Sequence, residues 1–154
     1  VFPMKKLLNI LCNALFAAVQ FTWGLPQTFC GLIVFLVSRG EAGRYRLAVH
    51  KAWKKEEGLS LGIFIFTPAG APKRILDHEY GHSLQSLILG PLYLPLIGFP
   101  SLIWCKNKKL IQYRKKKKKD YFGFYTERTA DALGKAKKEN KSNEMEEVHH
   151  TYHG

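Results

Sequence analysis

Apolar residues are gathered into two long stretches of this chain, and this segregation limits the folds that it can adopt. The stretches cover residues 7–37 and 84–104, and charged residues lie between them and after them. A water-soluble domain mixes the two kinds of residue more evenly, because each of its helices or strands shows one face to water. The pattern therefore predicts a small membrane protein of one domain, since 154 residues leave little room for a second.

A break divides the first apolar stretch. Trp23, Gly24 and Pro26 interrupt it, and apolar sequence then resumes. We expect residues 1–40 to form a membrane-inserted helical hairpin. Each arm is shorter than the ~20 residues of a full span, so a tilted or re-entrant pair is an alternative. A secretory signal peptide is another alternative, although the apolar sequence after Pro26 argues against it. Residues 1–3 are interpreted as an addition ahead of a natural start at Met4.

Basic residues flank the predicted hairpin at both ends. Lys5 and Lys6 precede it, and Arg39 and Arg44 follow it. The tendency of basic residues to stay on the cytoplasmic side places both ends there. We therefore expect an integral membrane protein of the bacterial inner (cytoplasmic) membrane, with its functional site near the cytoplasmic face.

The net charge of +12 is concentrated in one later segment. Nine basic residues and no acid occur between Lys106 and Lys119. Such a run favours either nucleic acid or anionic lipid as a partner. Because the run follows an apolar segment and lacks the aromatic and glycine signatures of RNA-binding modules, we expect anionic lipid headgroups there and no specific nucleic acid. A solvated, flexible loop is the alternative.

The central part of the chain, residues 41–134, is expected to be α+β and mostly helical. Residues 44–53 and 59–67 are predicted strands, joined into a β-hairpin by a turn at Glu56, Glu57 and Gly58. A helix is predicted from Lys73 to Leu89, where a glycine and a proline follow. The hairpin is expected to pack beside this helix. The remaining predictions are a kinked apolar segment over 91–104, a last helix over 121–133, and a disordered polar tail over 135–154.

The predicted central helix carries the motif H-E-x-x-H. His78 and His82 stand four residues apart, so on a helix they project from one face and can hold one zinc ion. Glu79 can then act as general base towards a water at the zinc. The pattern arises by accident in roughly one in a hundred chains of this length and composition, so further ligands are needed to support it.

Zinc hydrolase sites use three protein ligands and keep one position open. The best third ligand is Glu127, which shares a face of the last predicted helix with Asp131, four residues on. Glu127 can bind the metal while Asp131 hydrogen-bonds the outer nitrogen of one histidine and fixes its tautomer. Ala130, a small residue on the same helix, lets the two helices approach closely. The three cysteines form no C-x-x-C pair, so a thiolate site is not indicated.

H-E-x-x-H followed by E-x-x-x-D resembles the gluzincin metallopeptidases. The resemblance is greatest to the membrane-associated branch with the CAAX prenyl proteases and the bacterial heat-shock membrane proteases, and the His78–His82 wording also resembles small bacterial membrane proteins of unassigned function. The resemblance to the metallopeptidases implies a zinc peptidase that acts on peptides or proteins, with a substrate strand aligned along residues 59–67. It also implies a Tyr, His or Arg that stabilises the oxyanion, for which Tyr121, Tyr125 and His50 are the candidates.

Two other interpretations stay open. In the first, the chain binds zinc without catalysis and serves as a membrane adaptor or as a structural subunit of a complex. In the second, it is a basic protein of the membrane surface whose H-E-x-x-H is accidental.

Overall fold

The structure, a computed structural model, describes residues 3–135 and has the predicted α+β class. Most of the tail that was expected to be disordered, residues 136–154, lies outside the described residues. Six α-helices and four strands are described: α1 Met4–Thr22, α2 Leu25–Val37, β1 Gly40–Tyr45, β2 Ala48–Trp53, β3 Leu59–Leu61, β4 Phe64–Pro68, α3 Lys73–Leu89, α4 Phe99–Lys106, α5 Lys108–Lys117 and α6 Tyr125–Gly134.

The four strands form one sheet in the order β1-β2-β4-β3. Strand β2 pairs with β1 in antiparallel and with β4 in parallel, and β3 pairs with β4 in antiparallel. The prediction of one hairpin made from residues 44–53 and 59–67 is therefore wrong. Each predicted strand is itself a hairpin, and the two hairpins join through the parallel pair.

Two tight turns explain this difference. Gly62, between β3 and β4, has a φ of 63°, and Arg46, between β1 and β2, has a φ of 51°. Both values lie in the left-handed region that reverses the chain in short hairpins. The Arg46 conformation is held from outside the hairpin, because its guanidinium donates to the Asp77 carboxylate at 2.6 Å and to the Gly134 carbonyl at 2.9 Å.

Helix α1 contacts α3, and helix α2 contacts strands β3 and β4. The main apolar core there is Phe16, Trp53, Ile63, Phe64 and Phe66. Helices α1 and α2 meet at a bend of 100°. Within residues 3–135, no single helix is both long and apolar enough to cross a membrane, and only this bent pair meets the criterion, taken together.

Helix α3 has the predicted bounds. Pro72 precedes it, and Gly90 ends it with a φ of 54°, a conformation that favours glycine. A 3-10 turn over Gly90–Leu92 and a π-helical segment over Leu94–Gly98 then lead into α4. Prolines at the start of each of these segments prevent a regular helix from continuing.

Most of the basic segment is helical, since α5 covers Lys108–Lys117. A flexible loop had been one of the two interpretations of this segment. The side chain of Asn107 accepts hydrogen bonds from the backbone of Lys109 and Leu110, and this cap starts α5. Arg114 is 2% exposed and lies over the rings of Trp104 and Tyr121. Helix α5 is therefore anchored through Arg114, and its lysines face outward.

A 3-10 turn over Tyr121–Gly123 precedes α6, so the last helix begins later than predicted. Helix α6 packs along α3 in the most extensive contact between two helices that the described residues contain. This packing brings the acidic face of α6 to the histidines of α3.

Candidate metal centre

Helices α3 and α6 bring together the three residues that were predicted to bind metal. Nε2 of His78 lies 3.2 Å from Oε2 of Glu127, and Nε2 of His82 lies 3.4 Å from the same oxygen. All three potential ligand atoms lie within 4.8 Å of one another. The residues are 1%, 5% and 0% exposed for His78, His82 and Glu127, so they form a buried group that could hold a metal ion.

Asp131 fixes the orientation of His78. Its Oδ1 lies 2.7 Å from Nδ1 of His78, and because a carboxylate can only accept, Nδ1 carries the hydrogen. Nε2 is then the nitrogen that faces Glu127. Arg74 lies 3.4 Å from the other oxygen of Asp131 and stacks over the Phe122 ring, which packs edge-on against His78. The predicted role of Asp131 agrees with this placement.

Gln85 fixes the orientation of His82, as Asp131 fixes that of His78. The Gln85 amide nitrogen donates to the carbonyl of Thr126 and to the hydroxyl of Thr129, which leaves its oxygen facing Nδ1 of His82 at 2.7 Å. Nδ1 of His82 is therefore the donor, and Nε2 points to Glu127. Gln85 was not among the predicted site residues, although its position three residues after His82 on the same helix was a usable signal.

The electrostatics of the group favour a cation at its centre. Burial alone would lower the pKa of His78, but hydrogen bonds with Asp131 and Glu127 and the charge of Glu79 raise it to about 10. Burial alone would raise the pKa of Glu127, but His82 and His78 hold it well below its ordinary value. Without a metal, the two imidazoles and the carboxylate thus retain a proton between them, and a metal ion would take its place.

The separations fit a tetrahedral ion. Ligand bonds of 2.0–2.1 Å at tetrahedral angles place neighbouring ligand atoms roughly 3.4 Å apart. The distances from Oε2 of Glu127 to the two Nε2 atoms, 3.2 Å and 3.4 Å, agree with this value. Two imidazoles and one carboxylate are also a donor set that zinc accepts in proteins. The residues present therefore fit the predicted ion.

Glu79 lies on the same helix and is 3% exposed. The hydroxyl of Ser60, in β3, lies 2.5 Å from its Oε2 and 2.8 Å from its backbone carbonyl. The backbone at Gly58 also lies against this carboxylate, since a Cβ built there would come within 2.0 Å of Oε1 of Glu79. Residues 58–60 thus cover the carboxylate, a relationship that no local sequence pattern could have revealed.

The three candidates for oxyanion stabilisation have other partners. The hydroxyl of Tyr125 donates to the Leu96 carbonyl at 2.7 Å, and His50 shares a hydrogen bond of 2.8 Å with Thr67. Tyr121 is buried, and its backbone carbonyl accepts from Trp104. A tyrosine outside the prediction contacts the residue that covers Glu79: the hydroxyl of Tyr93 donates to the Ser60 carbonyl at 3.1 Å.

The site thus consists of a buried His/His/Glu group that could hold a metal ion and an adjacent carboxylate. Its ligands come from α3 and α6, and the carboxylate of Glu79 lies under the edge strand β3. Comparisons of the chain with protein-family models, with curated proteins and with solved structures gave no match.

Proposed function

We propose that the chain is a zinc-dependent peptidase. The observation that carries the proposal is the convergence of Nε2 of His78 and Nε2 of His82 on one oxygen of Glu127, at 3.2 Å and 3.4 Å. The separate support comes from Asp131 and Gln85, which turn both imidazoles so that these nitrogens face the same point. Bound zinc would polarise the scissile carbonyl and lower the pKa of a water towards ~7.

The chain's own residues supply the remaining chemistry. Glu79 follows the first ligand histidine directly, and its carboxylate accepts the proton of the attacking water and passes it to the leaving amine. Because the Glu79 carboxylate first gains and then loses a proton, it must keep a fixed position. Ser60, 2.5 Å from its Oε2, provides that restraint.

The sheet provides one place where a peptide can be aligned. Strand β4 has a neighbour on each side, so it cannot accept an added strand. Of residues 59–67, which were expected to align the substrate, only those in β3 can do so. As an edge strand beside α3, β3 can pair with an extended peptide through its backbone. Because Ser60 in β3 contacts Glu79, a peptide paired there would pass close to the general base.

A non-catalytic role in zinc binding is the second candidate. The observation in its favour is the cover over Glu79, since residues 58–60 occupy the space beside its carboxylate. A zinc-binding adaptor or structural subunit needs the three ligands but has no use for a free general base. The two functions therefore differ in the expected importance of Glu79.

The deciding experiment compares Glu79→Gln with wild-type protein in metal content and in hydrolysis of a mixed peptide library followed by mass spectrometry. A peptidase should keep one zinc per chain and lose about 10²–10⁴-fold in turnover. Glu56→Gln, an exposed charge-matched change, should keep both properties. Hydrolysis that Glu79→Gln does not reduce would overturn catalysis by this site. Stoichiometric zinc without any wild-type hydrolysis would support the non-catalytic role.

A further inference from the structure

Helices α1 and α2 bury polar side chains and expose apolar ones, which is the reverse of a helix that faces water. Gln20, Gln27 and Thr28 are fully buried. On the outward sides, the exposed fractions are 67% for Leu15 and 58% for Phe29. The exposed apolar residues recur at helical spacing, so each helix has a continuous apolar stripe: Met4, Leu7, Leu8, Leu11 and Leu15 on α1, and Leu25, Phe29, Ile33 and Leu36 on α2.

The buried polar residues hold these helices in that orientation. The amide of Gln20 donates to the Ser83 carbonyl at 2.9 Å. The amide of Gln27 donates to the Ser86 hydroxyl at 2.8 Å and to the Gly90 carbonyl at 2.9 Å. Because these bonds are buried, rotating either helix to hide its apolar stripe would leave amide groups without partners, at a high cost. The apolar stripes are thus a fixed outer surface.

A second exposed apolar segment adjoins the first. The side chains of Ile88, Leu92, Phe99, Leu102 and Ile103 are each at least half exposed. Trp23 connects the two segments, because its ring nitrogen lies 3.5 Å from the Ile88 carbonyl and its ring lies against Gly90. Apart from Tyr113 of α5 and Tyr125 and Leu133 of α6, every large exposed apolar side chain of residues 3–135 falls in these two segments.

The charge pattern indicates what covers this surface. Residues 1–40 and 88–119 contain twelve basic residues and no acid, so they account for the whole net charge of +12. The rest of the chain is balanced. Lys106, Lys108 and Lys109 are exposed directly after the apolar side chains of α4, and Lys106 pairs with Glu57. An apolar surface whose own segments carry cations and no acid is complementary to a bilayer with anionic headgroups.

We propose that the outer faces of α1, α2 and residues 88–106 form a docking surface for a bilayer of anionic phospholipid. The apolar side chains enter the acyl region, and Lys108 and Lys109 contact the headgroup phosphates. Since Gln20 and Gln27 fasten α1 and α2 to α3, docking holds the metal-binding helix at a fixed position relative to the membrane. The surface requires neither zinc nor catalysis.

Trp23 offers a direct reporter of docking. It is 53% exposed, whereas Trp53 and Trp104 are buried. Full-length protein in mild detergent is diluted into vesicles of phosphatidylcholine alone or mixed with phosphatidylglycerol. We expect flotation with the mixed vesicles, a blue shift of the tryptophan emission, and quenching by brominated acyl chains. Trp23→Phe should remove the optical changes and leave flotation intact.

Paired variants test the apolar and basic parts separately. Phe29→Glu with Ile33→Glu should abolish flotation, while Leu133→Glu, at an exposed apolar residue outside the surface, should leave it unchanged. Lys108→Gln with Lys109→Gln should weaken binding to anionic vesicles about thirtyfold, and Lys54→Gln with Lys55→Gln, which removes the same charge elsewhere, should have little effect. An unchanged far-ultraviolet circular dichroism spectrum in each variant reports an intact fold.

Three results would overturn the proposal. The first is equal binding to neutral and anionic vesicles. The second is flotation that survives Phe29→Glu with Ile33→Glu. The third is a stable dimer, seen by sedimentation in detergent-free buffer, that does not bind vesicles, because a second copy of the chain would then cover the surface. None of these outcomes depends on hydrolysis, so they are separable from a failure of the proposed peptidase activity.

Discussion

Gly81 in α3 lies so close to Ala130 in α6 that a Cβ at position 81 would sit 1.9 Å from the Ala130 carbonyl oxygen. The contact lies between His78 and His82 along the sequence. It sets the separation of the two helices at the level of the ligands. The glycine is needed for this close approach, since no side chain can be accommodated against a backbone carbonyl at that distance.

We predict that Gly81→Ala separates the metal ligands. Alanine would favour the helix by about 1 kcal/mol, but overpacking a fixed interface costs about 1–3 kcal/mol and moves the backbone. Zinc affinity should therefore fall strongly, with a smaller loss of stability, as measured by zinc titration and denaturant unfolding. Gly43→Ala is the control, because nothing lies within 4 Å of a Cβ there. Wild-type affinity in Gly81→Ala would contradict the proposed helix spacing.

Asp131→Asn should weaken zinc binding while the fold persists. The carboxylate holds Nδ1 of His78 at 2.7 Å, and replacing it with a neutral amide removes the charge that makes the imidazole a better ligand. Loss of such a partner typically weakens metal affinity by about 10–100-fold. Competition with a chromophoric chelator measures the change. Glu41→Gln, on the exposed strand β1, serves as the charge-matched control, and the hypothesis fails if both variants bind zinc equally well.

Zinc binding should depend on pH and release protons. The pKa of His78 in the metal-free protein is raised to about 10, so the site holds a proton throughout the neutral range. A metal ion must displace it, and the apparent affinity should rise about tenfold per pH unit below that pKa. Calorimetric titration in buffers with different ionisation enthalpies counts the protons released. An affinity independent of pH between neutral and alkaline conditions would show that no proton occupies the site.

The carboxylate of Asp77 should stabilise the fold in a pH-dependent manner. Burial alone would raise the pKa of Asp77, but hydrogen bonds from Lys73 and Tyr45 and the charge of Arg46 together lower it. A carboxyl whose pKa is lowered on folding contributes stability above its ordinary value, and the contribution disappears as the pH falls through the folded value.

Asp77→Asn should therefore lower the free energy of unfolding by about 2 kcal/mol at neutral pH, the usual magnitude for charge-assisted hydrogen bonds. The difference from wild type should shrink below about pH 4, where Asp77 of the unfolded wild-type chain begins to bind a proton. Denaturant unfolding across this pH range is the measurement, with Glu56→Gln as the control. A difference in unfolding free energy between wild type and Asp77→Asn that grows as the pH falls would contradict the prediction.

Local signals predicted the motif helix and the residues that α3 and α6 bring together. Pro72 and Gly90 mark the ends of α3 in the sequence itself, and the positions of His78 and His82 follow from helical spacing alone. Glu127 and Asp131 were found in the same way, because residues four apart share a helix face. These features depend on a few neighbouring residues, so they can be inferred without the fold.

The sheet and the cover over Glu79 could not be predicted in this way. Residues 59–67 have the composition of one strand, but Gly62 turns the chain within them and the second half then pairs in parallel with β2. Contacts such as that of Ser60 with Glu79 join residues 19 positions apart. Their geometry is set by the packing of the sheet on α3, and no periodicity in the sequence encodes it.

The burial of the three ligands also has a kinetic consequence. His78 and His82 lie on α3, whereas Glu127 lies on the last described helix, so the ligand set is complete only when α6 has docked. If the group holds an ion, we expect its release to require at least local separation of α3 and α6. Opening of the helix pair should then limit the rate of metal exchange. Loading would be fastest during folding, before α6 closes the site.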